Sequence, residues 1–350
     1  MSQPREGSGH AAVFRRLIQA EGPISVTRFM GESNAHYYAS RDPLGAPKGS
    51  QGGDFITAPE ISQMFGELAG LWLADLWDRA GRPDNAVYAE LGPGRGTLAR
   101  DALRAMARVG LSPDVHLVEG SPALRSVQAS AIPHAIFHDD AAGLPEARPL
   151  LLVANEFLDA LPIRQLVRAE AGWRERMVAL DGDDFVFVAG LQPLDGAVPA
   201  ALRDAPVGTI METCPAAAAV MGEIAQRLES QGGAALFIDY GHLAPRTGST
   251  LQAVRGHRKI DPLAQPGEAD LTAHVDFAAL ANVARAAGCN VQTATQGDWL
   301  RAMGIEVRAA ALATATPSAA ADIAAACKRL TSTGQMGELF KVMAITRTRG

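Results

Sequence analysis

Val87-Tyr88-Ala89-Glu90-Leu91-Gly92-Pro93-Gly94-Arg95-Gly96-Thr97 is the stretch that decides how this chain is read. A mostly apolar run is followed by three glycines at alternate positions. Residues 98–109 come next, rich in Ala, Leu, Arg and Met. The run 87–91 suits a parallel strand covered on both faces, and 98–109 is made of good helix formers. A glycine turn between strand and helix lets a ligand approach the backbone without meeting Cβ atoms. It also aims the N–H groups of the helix start at that ligand.

The spacing of the glycines separates two ligands. The dinucleotide pattern G-x-G-x-x-G would place its third glycine at 97, which is Thr. The register is instead E-x-G-x-G-x-G from Glu90, which resembles motif I of the class I S-adenosylmethionine (SAM) methyltransferases. In that resemblance Glu90 helps to hold the ammonium of the cofactor's methionine end. Gly92, Gly94, Gly96 and Thr97 form the turn whose N–H groups take its carboxylate. A βα turn that merely needs glycine is the alternative. Glu119 closes the apolar run His116-Leu117-Val118. An acid at the end of the second strand of such a unit bonds ribose hydroxyls; a solvated acid at a strand end is the plainer reading.

Composition bounds the rest. The 350 residues suffice for one large α/β domain with additions or for two smaller ones. With 47% hydrophobic and 20% charged residues there is ample core material and no sign of global disorder. A net charge of −6 gives no reason to expect nucleic-acid binding. Cys214, Cys289 and Cys327 are scattered and odd in number, without zinc spacing or a disulfide framework, which suits a reducing compartment. No metal is expected. No apolar run is long enough to insert into a membrane. The N-terminus lacks a secretory core; Arg5, Arg15 and Arg16 keep a transit peptide open, and Glu6 and Glu21 argue against one.

Along the chain, residues 11–20 and 25–38 have helical periodicity, the second with Ser25 or Thr27 as N-cap. The Gly- and Pro-loaded stretch 41–53 reads as loop. Thr57, Pro59 and Glu60 then suit the start of a helix whose apolar stripe runs through Phe65, Leu68, Leu71, Trp72 and Trp77. Residues 54–57 are either a lid over the ligand or a plain structural cap. After Glu119 a helix over 121–131 leads to a third strand, 136–138, ending in Asp139 and Asp140. In this superfamily an acid there meets the adenine amino group; surface turn acids are the alternative.

Residues 149–154 form a fully apolar fourth strand, followed by Asn155, Glu156 and Asp159. In open α/β sheets ligands bind beyond the carboxyl ends of the strands. A carboxylate pair there can clamp a guanidinium through bidentate, charge-assisted hydrogen bonds. Asn155-Glu156 resembles the start of the acidic loop of protein arginine methyltransferases. A helix start that favours acids is the bland alternative. Asp239, at the end of a fifth apolar strand over 233–241, brings a third carboxylate to the same sheet edge.

Longer blocks then identify a family. They are Gly-Asp-Phe-Ile-Thr-Ala-Pro-Glu-Ile-Ser-Gln at 53–63, Glu-Leu-Gly-Pro-Gly-Arg-Gly-Thr at 90–97 and Asn-Glu-Phe-Leu-Asp-Ala-Leu-Pro at 155–162. Ile-Asp-Tyr-Gly-His at 238–242, Asp-Leu-Thr-Ala-His-Val-Asp-Phe at 270–277 and Gln-Met-Gly-Glu-Leu-Phe-Lys-Val at 335–342 complete the set. Together they resemble the SAM-dependent methyltransferase family of mitochondrial dysfunction protein A, from about residue 10 to 345. The mitochondrial member of that family is a complex I assembly factor that dimethylates an arginine of a core subunit. The resemblance implies an α/β, class I (Rossmann-like) fold with a mostly parallel seven-stranded sheet. It implies SAM as cofactor and a protein substrate, in one member a respiratory complex I subunit.

The expected organisation is a helical N-terminal region over 1–84, then a methyltransferase domain over 85–350 with a β-rich arm inserted at about 163–233. The arm reads as a substrate-docking or dimer surface, so a homodimer is one reading. Short strands fall at 164–168, 173–178 and 185–188, and a helix at 216–231. The Pro/Gly/Arg-rich stretch 246–267 reads as a mobile lid or a solvated loop. His274 either orients the carboxylates or is structural. Residues 290–293 are expected as the sixth strand and 338–346 as the last. Asn155 is assigned to the cofactor; Glu156, Asp159, Asp239 and His274 are assigned to catalysis.

Three functions stay in competition. The first is arginine N-methylation of a protein by SN2 attack on the sulfonium methyl. The second is a SAM-binding assembly factor without catalysis; the third is a small-molecule methyltransferase. The glycine register disfavours an oxidoreductase. The expected location is cytoplasmic for a bacterial-type chain and the mitochondrial matrix for a eukaryotic one.

Overall fold

The structure, a computed structural model, describes residues 9–40, 56–256 and 258–347. The chain divides into two units, one built from 9–40, 160–216 and 245–274 and the other from 56–159, 217–244 and 275–347.

The second unit carries the decisive stretch. Its strands are β1 (Val87–Leu91), β2 (Asp114–Val118), β3 (Ile136–His138), β4 (Leu150–Asn155), β5 (Gly233–His242), β6 (Cys289–Thr295) and β7 (Phe340–Arg347). They lie in the order β3-β2-β1-β4-β5-β7-β6. Neighbours from β3 to β5 are parallel, and β7 runs antiparallel to both β5 and β6. The two-residue strand Val275–Asp276 adds an eighth, parallel to the end of β5. β1 and β4 are buried at every position, as strands with both faces covered must be. Strand order reverses between β1 and β4, and a ligand crevice is expected beyond their carboxyl ends.

One face of this sheet is covered by the helices Gln63–Arg79 and Thr97–Arg108, with Phe65, Leu68, Leu73 and Met106 in the core. The two helices approach at Gly70, where a Cβ would stand 2.5 Å from the Ala102 carbonyl oxygen. Only glycine permits that separation. Glu67, 3% exposed, bonds Arg308 at 2.7 Å and Arg104 at 3.1 Å, so the charge buried under the helices is paired.

The first unit contains the helices Gly9–Glu21 and Val26–Ser40. The Ser25 hydroxyl accepts the Arg28 N–H at 3.1 Å, so the cap falls to Ser25 of the two candidates. An antiparallel sheet orders Ile24–Ser25, Gly172–Asp181, Arg164–Ala169 and Ile210–Thr213, with Asp184–Ala189 pairing Gly172–Asp181. Phe14, Phe29, Met30, Ile163, Val178 and Leu271 share its core.

Several expected boundaries differ. Residues 58–79 belong to the second unit, because their apolar stripe covers its sheet instead of extending an N-terminal region. The β-rich arm ends near 216, not 233. In the helix Pro215–Gln231, Arg227 donates to the Ala142 and Leu144 carbonyls at 3.0 and 3.1 Å, all within the second unit. The stretch 246–267 is not plain loop: Gln252–Arg255 pairs with both Arg258–Ile260 and Asp270–Thr272. The helix expected from Thr57 onward is two, Ala58–Ile61 and Gln63–Arg79. They are broken at Ser62, whose extended backbone lets its hydroxyl cap Met64. Glu338 and Leu339 end the short helix Met336–Leu339 and precede the closing strand. The loop 41–53 and the lid residues Asp54 and Phe55 lie outside the described residues.

Candidate active site

The glycine turn after β1 has the backbone that its sequence calls for. Gly92, Gly94 and Gly96 have φ of 60°, 55° and 76°, a left-handed region that side chains disfavour. The Gly92 N–H is anchored to the Val118 carbonyl at 3.0 Å, and the Gly96 N–H closes on Pro93 at 2.8 Å. A Cβ on Gly92 would meet Phe157 Cδ2 at 2.9 Å. Thr97 opens the following helix, and its hydroxyl donates to the Glu60 carboxylate.

Glu90 is buried near the end of β1. Side chains alternate along a strand, and Glu90 shares the face of Tyr88, toward the helices. It is 2% exposed. Its carboxylate accepts the Tyr88 hydroxyl at 2.7 Å and the Ala99 N–H of the helix behind the turn. Burial pushes its carboxyl up to about 8, against those two donors. Through Tyr88 and Ala99, Glu90 braces the turn from behind.

Glu119 stands just beyond β2, half-buried. Its Oε1 accepts the Ser121 N–H at 2.8 Å and its Oε2 accepts Gln128 Nε2 at 3.1 Å. The same Gln128 nitrogen donates to the Gly94 carbonyl at 2.7 Å. One fully buried amide thus ties the second acid of the site to the glycine turn. Sequence reasoning missed Gln128, since a glutamine inside an amphipathic helix carries no positional signal.

The two acids after β3 separate. Asp139 is a surface partner of Arg125 at 2.6 Å, with its side chain 91% exposed. Asp140 caps the 3₁₀ turn Ala141–Gly143 through the Gly143 N–H at 3.1 Å. Both have local structural work of the kind that turn acids do.

The carboxylates after β4 come together with the end of β5. Asn155 closes β4 and pairs in register with Ile238. Its Nδ2 donates to Glu156 Oε1 at 3.2 Å, while its Oδ1 is buried with no partner. Glu156 has φ of 52°, one of three non-glycine residues with positive φ among the described residues. That strained position is held by its N–H on the Ile238 carbonyl at 2.9 Å and by the Ala58 N–H on Oε1 at 3.3 Å. Asp159 follows, 6% exposed.

Asp239 gives its carboxylate to backbone N–H groups around it. It is 1% exposed. Its Oδ2 accepts the Leu158 and Asp159 N–H groups at 2.9 and 3.2 Å, and its Oδ1 accepts the Tyr240 N–H at 2.8 Å. Burial first and the Glu156 carboxylate second push it up to about 8. The Tyr240 ring is tilted against Phe340, centroids 4.0 Å apart, and its hydroxyl is raised first by burial and then by the Glu156, Asp159 and Asp239 carboxylates. The sequence reading did not single out Tyr240. His274 belongs to the first unit, where its N–H donates to Thr250 Oγ1 at 2.9 Å. The carboxylate cluster belongs to the second.

Residues 68–295 match the family described as "Putative S-adenosyl-L-methionine-dependent methyltransferase". The protein arginine methyltransferase NDUFAF7, mitochondrial, of Danio rerio is 36% identical over 95% of this chain and 85% of its own length. The protein of the same name from Mus musculus is 35% identical over 98% and 86%. A protein of Burkholderia thailandensis, crystallised with S-adenosyl-homocysteine, superposes with a TM-score of 0.81 at 32% identity. The match covers 96% of this chain and 91% of that one.

Proposed function

The chain belongs to this family of SAM-dependent methyltransferases, and we propose that it N-methylates arginine side chains of a protein. It is an enzyme that uses SAM. Two features of the second unit fit that cofactor. Three left-handed glycines leave a cradle without Cβ atoms. The Asn155 Oδ1 is a buried acceptor without a partner, placed where β4 meets the crevice. Glu119 is the group for the ribose hydroxyls, preset by Gln128 and Ser121.

When bound, the cofactor supplies a methyl group activated by its sulfonium. The rest is done by the chain. Glu156 and Asp159 bind a guanidinium and orient one nitrogen. Fixed geometry replaces the entropy that such an encounter would otherwise lose. A guanidinium gives up a proton only reluctantly. The two carboxylates therefore stabilise the charge as it moves and hold the released proton afterwards. Asp239 fixes the backbone that carries them. His274 has no role in this reading.

The observation that carries the reading is Glu156, held in a left-handed conformation by Asn155 and Ala58 at the end of β4. Clustered carboxylates are costly until a cation joins them, and a guanidinium supplies the cation with matching bidentate geometry. The printed names of the relatives support arginine as the target; a complex I subunit, which the family resemblance implies, is the finer form of the same proposal. Those names, which print mitochondrial, favour the mitochondrial over the cytoplasmic expectation. Among the described residues no helix is long and apolar enough to cross a membrane.

The test is mass spectrometry of proteins from a deletion strain and its parent. The proposal expects one or a few arginine sites methylated only in the parent. Incorporation of labelled methyl into small molecules alone would replace the protein substrate. Tight SAM binding with no incorporation at all would leave an assembly factor.

A further inference from the structure

The segment 57–61 touches both halves of the site. At one end the Ala58 N–H donates to Glu156 Oε1 at 3.3 Å. Two residues later the Glu60 carboxylate accepts the Thr97 hydroxyl, at the first residue after the glycine turn. Pro59 stands between them; Ala58 and Pro59 are both buried, and proline has its φ fixed by its ring. A short, stiff, buried piece of backbone thus spans from the cofactor turn to the carboxylate after β4. A second contact runs in parallel: Phe157, next to Glu156, lies against Gly92.

We infer that Glu60 is a positioning residue that couples occupancy of the cofactor turn to the orientation of the Glu156 carboxylate. The role rests on the SAM site and on the assignment of Glu156 proposed above. Glu156 needs such support. Its left-handed backbone stores strain that the surroundings must overcome, and Ala58 and Asn155 hold the same oxygen, Oε1. If the Thr97 turn shifts when ligand fills it, Glu60 and the Pro59 segment carry the shift to the Ala58 N–H and so to Glu156. Coupling of this kind is reciprocal. Disturbing Glu156 must then alter cofactor affinity, and only while Glu60 is in place.

The test uses the full chain and titrates S-adenosylhomocysteine calorimetrically, so it needs neither a substrate nor activity. Four proteins form a double-mutant cycle: the parent, Glu60→Ala, Glu156→Ala and the double variant. Each single substitution is expected to weaken binding about 3- to 10-fold, and the double variant no more than the weaker single one. Glu60→Gln and Glu156→Gln keep an acceptor oxygen and should return affinity to within about 2-fold of the parent. A merely structural Glu60 would show effects that multiply in the double variant, or no rescue by glutamine; either result overturns the coupling. Unchanged affinity in Glu156→Ala also overturns it. Should Glu60→Ala not fold, the pair Glu60→Gln and Glu156→Ala decides through the Glu156 variant alone. None of these affinities depends on arginine being the substrate, so the two proposals fail separately.

Discussion

The Asp159 N–H donates to Asp239 Oδ2 at 3.2 Å. An acid at the end of one strand therefore sets the loop that follows its neighbour. The division of labour is clear from burial and partners. Asp239 spends both oxygens on three N–H groups, while Glu156 Oε1 is held by the Ala58 N–H and Asn155 Nδ2.

Glu156→Gln keeps the shape and an acceptor for Ala58 while removing the charge. It should lower methyl transfer by about 10² or more, because the lost stabilisation is made mainly in the transition state. S-adenosylhomocysteine affinity should stay close to that of the parent. Incorporation of labelled methyl into proteins of a deletion-strain extract measures the first, calorimetry the second. Equal incorporation by both proteins would remove Glu156 from the reacting groups.

Glu119→Ala should weaken SAM by roughly 1.5–3 kcal/mol, the scale of a hydrogen bond to a charged group. The fold should persist, since Glu119 is half-buried and its protein partners are one N–H and one amide. Calorimetric titration with a parallel melting curve checks both statements. An unchanged Kd would take the ribose contact away from Glu119.

Gly92→Ala joins two penalties. A left-handed φ costs an L-residue roughly 1–2 kcal/mol, and the new methyl would stand 2.9 Å from Phe157 Cδ2. The variant should melt lower and lose S-adenosylhomocysteine binding. Full binding would show that Phe157 yields and that the turn tolerates a Cβ.

Glu90 makes a pH prediction. Its folded carboxyl is raised to about 8 from an ordinary value near 4.5. Between those values the folded state holds a proton that the unfolded state has released. The contribution is full at acid pH and is lost as pH rises through about 8. Glu90→Gln, an imitation of the protonated acid, should flatten this part of the profile. Melting temperatures from pH 5 to 9 test it: parallel curves for the two proteins would mean that Glu90 is ionised in the fold throughout.

Where a residue's role depends on its own neighbours along the chain, the sequence carried it. The strand, turn and helix around Gly92, Gly94 and Gly96 follow from spacing alone, because only glycine takes three left-handed positions so close together. β4 and β5 follow from uninterrupted apolar runs, since a strand covered on both faces has no polar alternation. Glu156 stood out because a carboxylate directly after such a strand lies at the ligand edge. Tertiary structure decided what each acid does there. Glu90 and Asp239 read as ligand groups from the sequence, and folding supplies their protein partners: Tyr88 and Ala99 for the first, Leu158, Asp159 and Tyr240 for the second. Asp139 and Asp140 differ by one position, and folding sends one to the solvent and the other into a cap. Gln128 and Glu60 gain their roles from partners 34 and 37 residues away. A side chain's partners across space are set by packing, and no local pattern of residues encodes them.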